Sequence, residues 1–121
     1  MMPPMRLTVE HEIRGRFLWV GLGGVWDLDR VFAVIDMIRW ETEWNRLGSA
    51  FLDFRSVDGP VPDLDRFFAG ERVALVLGSR VRLAVLARPE MINKLGEDTA
   101  VNRGARILVT PDEAQALAFI D

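Results

Sequence analysis

The sequence predicts a single-domain α/β protein in which helices cross over between the strands of one sheet. Short apolar runs typical of buried strands alternate with longer amphipathic stretches typical of helices, in the order ββαβαβ(α)βα. Such alternation indicates crossover connections. The 121 residues contain no repeat, no low-complexity segment and no linker, and they suffice for one hydrophobic core. We therefore expect residues 1–121 to form one domain.

The chain is expected to open with a β-hairpin. Residues 1–5 lack a structural pattern and should form a loose terminus. Residues 6–12 alternate apolar and polar side chains, as a strand exposed on one face does, and residues 17–22 form an apolar strand. Gly15 and Arg16 supply the turn between these strands, and the glycines that follow residue 22 should end the second one.

A long helix and a second apolar strand should follow the hairpin. Asp27 is a suitable N-cap, and the helical pattern continues to about Arg46, after which Gly48 would end the helix. Residues 49–55 indicate a buried strand. Residues 57–63, VDGPVPD, have the composition of a turn, so Ser56, Asp58 and Gly59 should lie where this strand ends.

The second half of the chain predicts two further strands and two or three helices. Residues 63–71 indicate a short helix, and residues 72–77 (RVALVL) a strand buried on both faces. Residues 79–96 are ambiguous, because VRLAVLAR alternates like a strand while apolar side chains also follow a helical stripe that Pro89 interrupts. Residues 106–109 indicate a final strand, and DEAQALAFI after Pro111 an amphipathic helix.

Composition excludes several classes of function. The net charge of −3 gives no basic footprint for nucleic acid. The absence of cysteine removes disulfides, thiol nucleophiles and zinc–thiolate sites. No apolar stretch is long enough to span a membrane, and the N-terminus does not have the pattern of a secretory signal. We expect a cytoplasmic protein.

The sequence also lacks a recognisable catalytic or cofactor motif. His11 is the only histidine and lies in a predicted edge strand, where a solvated role is favoured over catalysis. The glycines of GLGG do not have the spacing of a dinucleotide fingerprint. Asp63, Asp65 and Glu71 suit a helix start and a solvated surface better than a divalent cation. We therefore predict a protein that is not an enzyme, with no metal and no cofactor.

One group of polar residues gathers near the end of the strand at residues 49–55. Asp53, Arg55, Ser56 and Asp58 could line a polar pocket at the carboxyl edge of the sheet, and they would form the site if the protein were an enzyme. Alternation places Asp53 and Arg55 on the same face of the strand. An ion pair at the rim of the sheet is the favoured alternative.

The first helix carries two apolar stripes on nearly opposite sides. One sheet can bury only one of them, so the other must be covered differently. Three possibilities remain open: packing under residues 79–104 or the last helix, a protein interface with a homodimer as its simplest form, or a pocket for a small apolar ligand. The first stripe is Leu28, Val31, Ile35, Ile38 and Thr42, and the second is Ala33, Met37, Trp40 and Trp44.

Four segments together resemble the small stand-alone SpoIIAA-like proteins of the STAS fold class. These are GRFLWVGLGG, FLDFRSV, RVALVLGSRVRLAVLARPEM and GARILVTPDEAQALAFID, which span most of residues 13–121. The most specific features are the Leu-Ala-Arg step at 86–88 and the Ala-Leu-Ala-aromatic run at 116–119. The resemblance implies a STAS-like mixed sheet of four or five strands with helices mainly on one face. It also favours a helix over residues 79–96.

The resemblance bears on regulation as well. In the anti-sigma-factor antagonists of this class, a serine in an Asp-Ser-Ser-Gly turn after the corresponding strand is phosphorylated, and this controls partner binding. Here SVDGPVPD stands in that place: Ser56 comes just before the motif position, and no Ser-Ser-Gly follows. We therefore expect Ser56 to bond locally rather than to act as a phosphorylation switch.

Together the sequence predicts a non-enzymatic binding module that associates with itself or with a protein partner through its first helix. The alternative is a carrier or sensor of a small hydrophobic ligand.

Overall fold

The computed structural model describes residues 6–121, so the expectation for residues 1–5 lies outside it. Five strands form one mixed sheet in the order β1-β2-β3-β4-β5. The first pair is an antiparallel hairpin, and every later pair is parallel, as crossover connections require. The strands are β1 (Thr8–Arg14), β2 (Phe17–Val25), β3 (Ser49–Asp58), β4 (Arg82–Leu86) and β5 (Arg106–Thr110).

Three helices cover one face of the sheet, and the fourth helix packs on the other. The larger core lies between the sheet and the first three helices, and a smaller core lies under the last helix. The predicted arrangement, with helices mainly on one face, is confirmed. No helix within residues 6–121 is both long and apolar enough to cross a membrane. The helices are α1 (Leu28–Trp44), α2 (Asp63–Val76), α3 (Leu95–Asn102) and α4 (Glu113–Ile120).

Helix α1 begins where its predicted cap stands. The Asp27 carboxylate accepts a hydrogen bond from the backbone N–H of Arg30 at 3.3 Å, which satisfies one of the free donors of the first turn. The helix ends earlier than expected, with Asn45 as C-cap and Arg46 at φ 56°, in the left-handed region. Arg46 therefore turns the chain out of the helix, and Gly48 is not needed for it.

Strands β2 and β3 are both longer than the sequence predicted. β2 continues through Gly23 and Gly24 to Val25, and a Cβ at Gly24 (φ +103°) would overlap the carbonyl oxygen of Arg6. β3 continues to Asp58, past a bulge between the pairs Gly21–Asp53 and Gly23–Ser56. Ser56 and Asp58 therefore lie within the strand rather than in the turn after it.

The predicted strand at residues 72–77 is wrong, because these residues form the end of α2 and follow it. Val73 and Leu77, four residues apart, are buried, whereas Leu75 between them is 77% exposed. In a strand all three side chains would share one face. The segment is apolar enough for a buried strand, but only one side of it meets the core.

The helix favoured over residues 79–96 is also wrong. β4 occupies residues 82–86 and takes the place between β3 and β5 that the segment 72–77 was expected to fill. Its apolar residues alternate between the cores, with Leu83 and Val85 on the side of α1 and with Ala84 and Leu86 under α4. The alternation in VRLAVLAR was thus the informative signal. Pro89 begins a short 3₁₀ turn, and α3 follows only at Leu95.

Candidate functional site

The outward face of α1 is the largest exposed aromatic feature of the described chain. Trp40 is 71% exposed and Trp44 is 84% exposed. Ala33 is exposed as well, while Met37 lies at the border of the core and packs partly against it. Neither indole is covered by residues 79–104 or by α4, so packing of this stripe inside the monomer is ruled out for Trp40 and Trp44.

The other two sides of α1 already have partners. The buried stripe of the helix, which includes Ile35 and Ile38, packs in the larger core. The next side meets α2, where Arg72 forms a 2.9 Å ion pair with Asp36. Arg39 on the same side donates from Nη1 to the carbonyl oxygen of Val76 at 2.7 Å. Only the side that carries the tryptophans is left without a neighbouring element.

The edge strand β1 carries exposed apolar side chains on the same side of the sheet as α1. Val9 and Ile13 of β1 are 39% and 49% exposed. They pair with Leu22 and Leu18 of β2, which belong to the larger core, so Val9 and Ile13 lie on the same side of the sheet as α1. We call the combined set the α1–β1 surface; its members are Val9, Ile13, Ala33, Met37, Trp40 and Trp44.

Strand β1 adds a second feature to this surface. Within residues 6–121 it pairs only with β2, so its outer edge presents backbone donors and acceptors without partners there. The contribution of β1 was not recognised from the sequence. The signal was the alternation in residues 6–12, which places Val9 on one face of the strand and its charged neighbours Glu10 and Glu12 on the other. Alternation alone does not tell which of the two faces a helix covers.

Charged side chains of both signs surround the tryptophans. Glu43 lies 3.5 Å from Arg39, in an ion pair one helical turn apart. Glu41 accepts a hydrogen bond from the Asn45 amide, and Arg46 is exposed just beyond the helix. An apolar centre with a mixed charged rim is the usual anatomy of a protein interface.

Two members of the predicted polar pocket bind each other. Arg55 donates from Nε to Asp53 Oδ1 at 3.0 Å and from Nη2 to Asp53 Oδ2 at 2.8 Å. These hydrogen bonds lower the pKa of the Asp53 carboxyl, although its partial burial acts in the opposite direction. The pair lines a shallow pocket of about 120 Å³ beside Trp19 and Glu113.

The other two members lie elsewhere. Ser56 is exposed and pairs with Gly23 across the sheet. The Asp58 side chain is 73% exposed, and its Oδ1 lies 3.8 Å from Nη2 of Arg88. Neither residue lines the pocket beside Asp53, so the structure brings together only Asp53 and Arg55. Their geometry is that of a bidentate ion pair at the sheet surface.

The acidic residues of α2 are each engaged by a different group. Asp63 accepts a hydrogen bond from the Asn93 amide at 2.9 Å, and Asp65 accepts one from the indole N–H of Trp26 at 2.8 Å. Glu71 lies 3.5 Å from Arg103 of α3. Within residues 6–121, no three metal-ligating side chains gather in a group that could hold an ion.

A half-open cavity of about 140 Å³ lies between the sheet and the three helices. Its walls are mainly apolar side chains from the sheet and from α1 and α2. Polar groups gather where it meets α3 and the segment before α3. Its apolar walls include Ile35, Leu52, Phe54, Ala69, Val73, Val85, Ile107 and Val109, and its polar lining residues are Arg66, Asn93, Lys94 and Glu97.

The comparisons with known proteins identify the fold. No protein-family model and no curated protein sequence matches the chain. Among solved structures, the crystal structure of an anti-sigma factor antagonist from Mycobacterium paratuberculosis superimposes with a TM-score of 0.65. The match covers 99% of this chain and 98% of that one, at 15% sequence identity. At this identity the likeness concerns the fold, and the chain has the SpoIIAA-like STAS fold that its sequence resembles.

Proposed function

We propose that this protein is a non-enzymatic, cytoplasmic interaction module that binds a protein through the α1–β1 surface, and that its partner is a second copy of itself. The observation that carries the proposal is the exposure of Trp40 and Trp44, which no neighbouring helix or strand covers. Tryptophan is concentrated in the energetic centres of interfaces, and exposed aromatic patches of this kind mark binding sites.

A second copy suits this surface because the patch can be complementary to itself. A two-fold axis near Trp40 and Trp44 would bring the indoles of both copies together. The α1 helix has 17 residues, about 25 Å of length, which gives such an interface a continuous central ridge.

The test replaces Trp40 and Trp44 together with alanine and measures the mass of the native protein by native mass spectrometry and sedimentation. Wild type should have the mass of a dimer and the double variant that of a monomer. Truncating even one such tryptophan typically costs about 2 kcal/mol or more of binding free energy, which weakens dissociation constants at least roughly thirtyfold. In a symmetric dimer each substitution acts twice.

A matched control comes from α2. Leu75 is 77% exposed but lies away from the α1–β1 surface, so Leu75→Ala should remain dimeric. Leu75→Ala should unfold at nearly the wild-type urea concentration, because exposed side chains contribute little to folding stability. The double variant should keep the wild-type circular dichroism spectrum, and its urea midpoint should no longer depend on protein concentration, because it has lost the stabilisation that dimer formation gives. A wild-type protein that is monomeric at tens of micromolar would contradict self-association, and an unchanged dimer in the double variant would place the interface elsewhere.

The cavity favours a second candidate function, the binding of a small hydrophobic ligand. Its lining is predominantly apolar, and binding sites for small molecules are concave and apolar with few polar groups. This function does not compete with the first for space, because the cavity lies beneath α1 and α2 whereas the tryptophans face outward.

A further inference from the structure

We infer that the cavity between the sheet and helices α1–α3 binds a small neutral aromatic molecule that carries one hydrogen-bond donor. This inference rests on the second candidate function and narrows the class of ligand. Three features of the cavity carry it: the way the helices hold it open, its size, and a single buried carboxylate in its wall.

The cavity lies beside the contact between α2 and α3. The two helices approach at glycines, where a Cβ on Gly70 would overlap the carbonyl oxygen of Gly96. A Cβ on Gly96 would in turn lie 3.1 Å from the carbonyl oxygen of Arg66. The cavity-facing part of α2 includes Ala69, which carries only a methyl group, and Gly70, which has no side chain. The helix pair therefore supports a space that the side chains do not fill.

The volume limits the ligand to one or two fused rings. An engineered apolar cavity of about 150 Å³ stays dry and binds benzene, and this cavity of about 140 Å³ is of similar size. Pockets for larger ligands start at about 300 Å³, so a lipid chain would not fit. The aromatic side chains of Trp26 and Phe54, whose rings meet edge to face at 5.9 Å, line one part of the cavity.

Glu97 sets the polarity of the ligand. Its side chain is buried, and it accepts hydrogen bonds from the ammonium group of Lys94 at 3.1 Å and from the backbone N–H of Val109. Each carboxylate oxygen thus has one donor, and a carboxylate can accept about four. A ligand N–H or O–H would find an acceptor here. Because the rest of the lining is mainly apolar, burying a charged group there would cost hydration, so a neutral aromatic donor such as an indole is favoured.

Residues 88–94, which lie between β4 and α3, form one wall of the cavity. Met91 and Ile92 of this segment line the cavity. Arg66 of α2 donates a hydrogen bond from Nη1 to the carbonyl oxygen of Met91 at 2.7 Å, and the side-chain amide of Asn93 donates one to Asp63 Oδ1 at 2.9 Å. Arg88 of the same segment donates from Nη2 to the carbonyl oxygen of Val57 at 2.8 Å. Polar contacts of this kind on an irregular segment can break locally while the sheet and α2 stay folded.

The test titrates the full chain with indole and follows the methyl resonances of lining residues by NMR. Benzothiophene, which has a similar shape but no N–H donor, serves as the matched probe. Ala69→Leu replaces a methyl group with an isobutyl group in the cavity wall. Ala114→Leu makes the same change at an exposed position of α4. Wild type and Ala114→Leu should bind indole saturably and more tightly than benzothiophene, and Ala69→Leu should lose both.

The Trp40→Ala, Trp44→Ala double variant separates this inference from the interface proposal, because it should become monomeric yet still bind indole. Absence of a saturable shift in wild type would overturn ligand binding altogether. Equal shifts in Ala69→Leu would place the probe outside the cavity. Equal affinity for the two probes would leave an apolar binding site but overturn the role of Glu97.

Discussion

Replacing Gly70 with alanine tests the packing that holds the cavity open. Gly70 lies in the interior of α2, where alanine is normally preferred to glycine by about 1 kcal/mol because it restricts the unfolded chain and suits the helix. Helix propensity alone therefore predicts that Gly70→Ala stabilises the protein. The tertiary contact predicts the opposite.

The contact should win, because the obstacle is backbone. The new Cβ would overlap the carbonyl oxygen of Gly96 and would lie 3.0 Å from the Cβ of Thr99. Neither neighbour is the free end of a flexible side chain, so α3 must move as a unit. Overpacking of this kind costs about 1–3 kcal/mol, and we expect the upper part of that range here. After the gain in propensity, the free energy of unfolding should fall by about 1–2 kcal/mol.

Urea unfolding followed by tryptophan fluorescence and circular dichroism measures this loss. The midpoint should fall with an unchanged slope, and thermal unfolding should shift by about 4 °C for each kcal/mol. Gly48→Ala is the control, since a Cβ there meets nothing within 4 Å, and its stability should stay within about 0.5 kcal/mol of wild type. A Gly70→Ala protein as stable as wild type would refute the close approach of α2 and α3.

Two further predictions concern polar contacts. Asp53→Asn should remove the ion pair with Arg55 and cost less than about 1 kcal/mol, because both side chains are partly exposed. Since Arg55 lowers the pKa of Asp53 from 3.8, the pair stabilises the fold above that pH and the contribution is lost as pH falls through the lowered pKa. Urea midpoints of the two proteins should therefore differ at pH 7 and converge once the pH falls below the lowered pKa of Asp53. An equal difference at neutral and strongly acidic pH would argue against the pair. Trp26→Phe should cost about 1.5–3 kcal/mol by removing the 2.8 Å hydrogen bond to the Asp65 carboxylate. A double-mutant cycle with Asp65→Ala should give strong coupling, whereas additive losses would show that the hydrogen bond contributes nothing.

The tryptophan surface illustrates how far periodicity reaches. Helical spacing alone places Trp40 and Trp44 on one side of α1 and the buried stripe on the other. That the tryptophan side remains uncovered depends on where α2, α3 and α4 pack, which the spacing within one helix does not encode. That Val9 and Ile13 belong to this surface depends on strand pairing, because their partners in β2 show that both side chains lie on the same side of the sheet as α1.

The two wrong assignments have a common cause. The segments RVALVL and VRLAVLAR are both short and apolar, and such segments are compatible with a buried strand or with a helix that meets the core on one side. In the first, exposure of Leu75 is consistent only with the helix. In the second, burial on both faces between β3 and β5 requires the strand. Each decision depends on neighbours distant in the sequence.

The sequence by itself determined the elements whose signals are local. Capping by Asp27, turn residues between strands, and the two stripes of α1 follow from interactions within a few residues, so they predict the hairpin, the first helix and the strand after it. The STAS-like fold was implied by the resemblance of four segments to the SpoIIAA-like proteins. Tertiary structure alone decided which apolar face stays in solvent, how Gly70 and Gly96 bring two helices together, and where a cavity with a buried Glu97 remains. These properties arise from packing between segments far apart in the chain, where a single carbonyl oxygen or side chain decides whether space is filled.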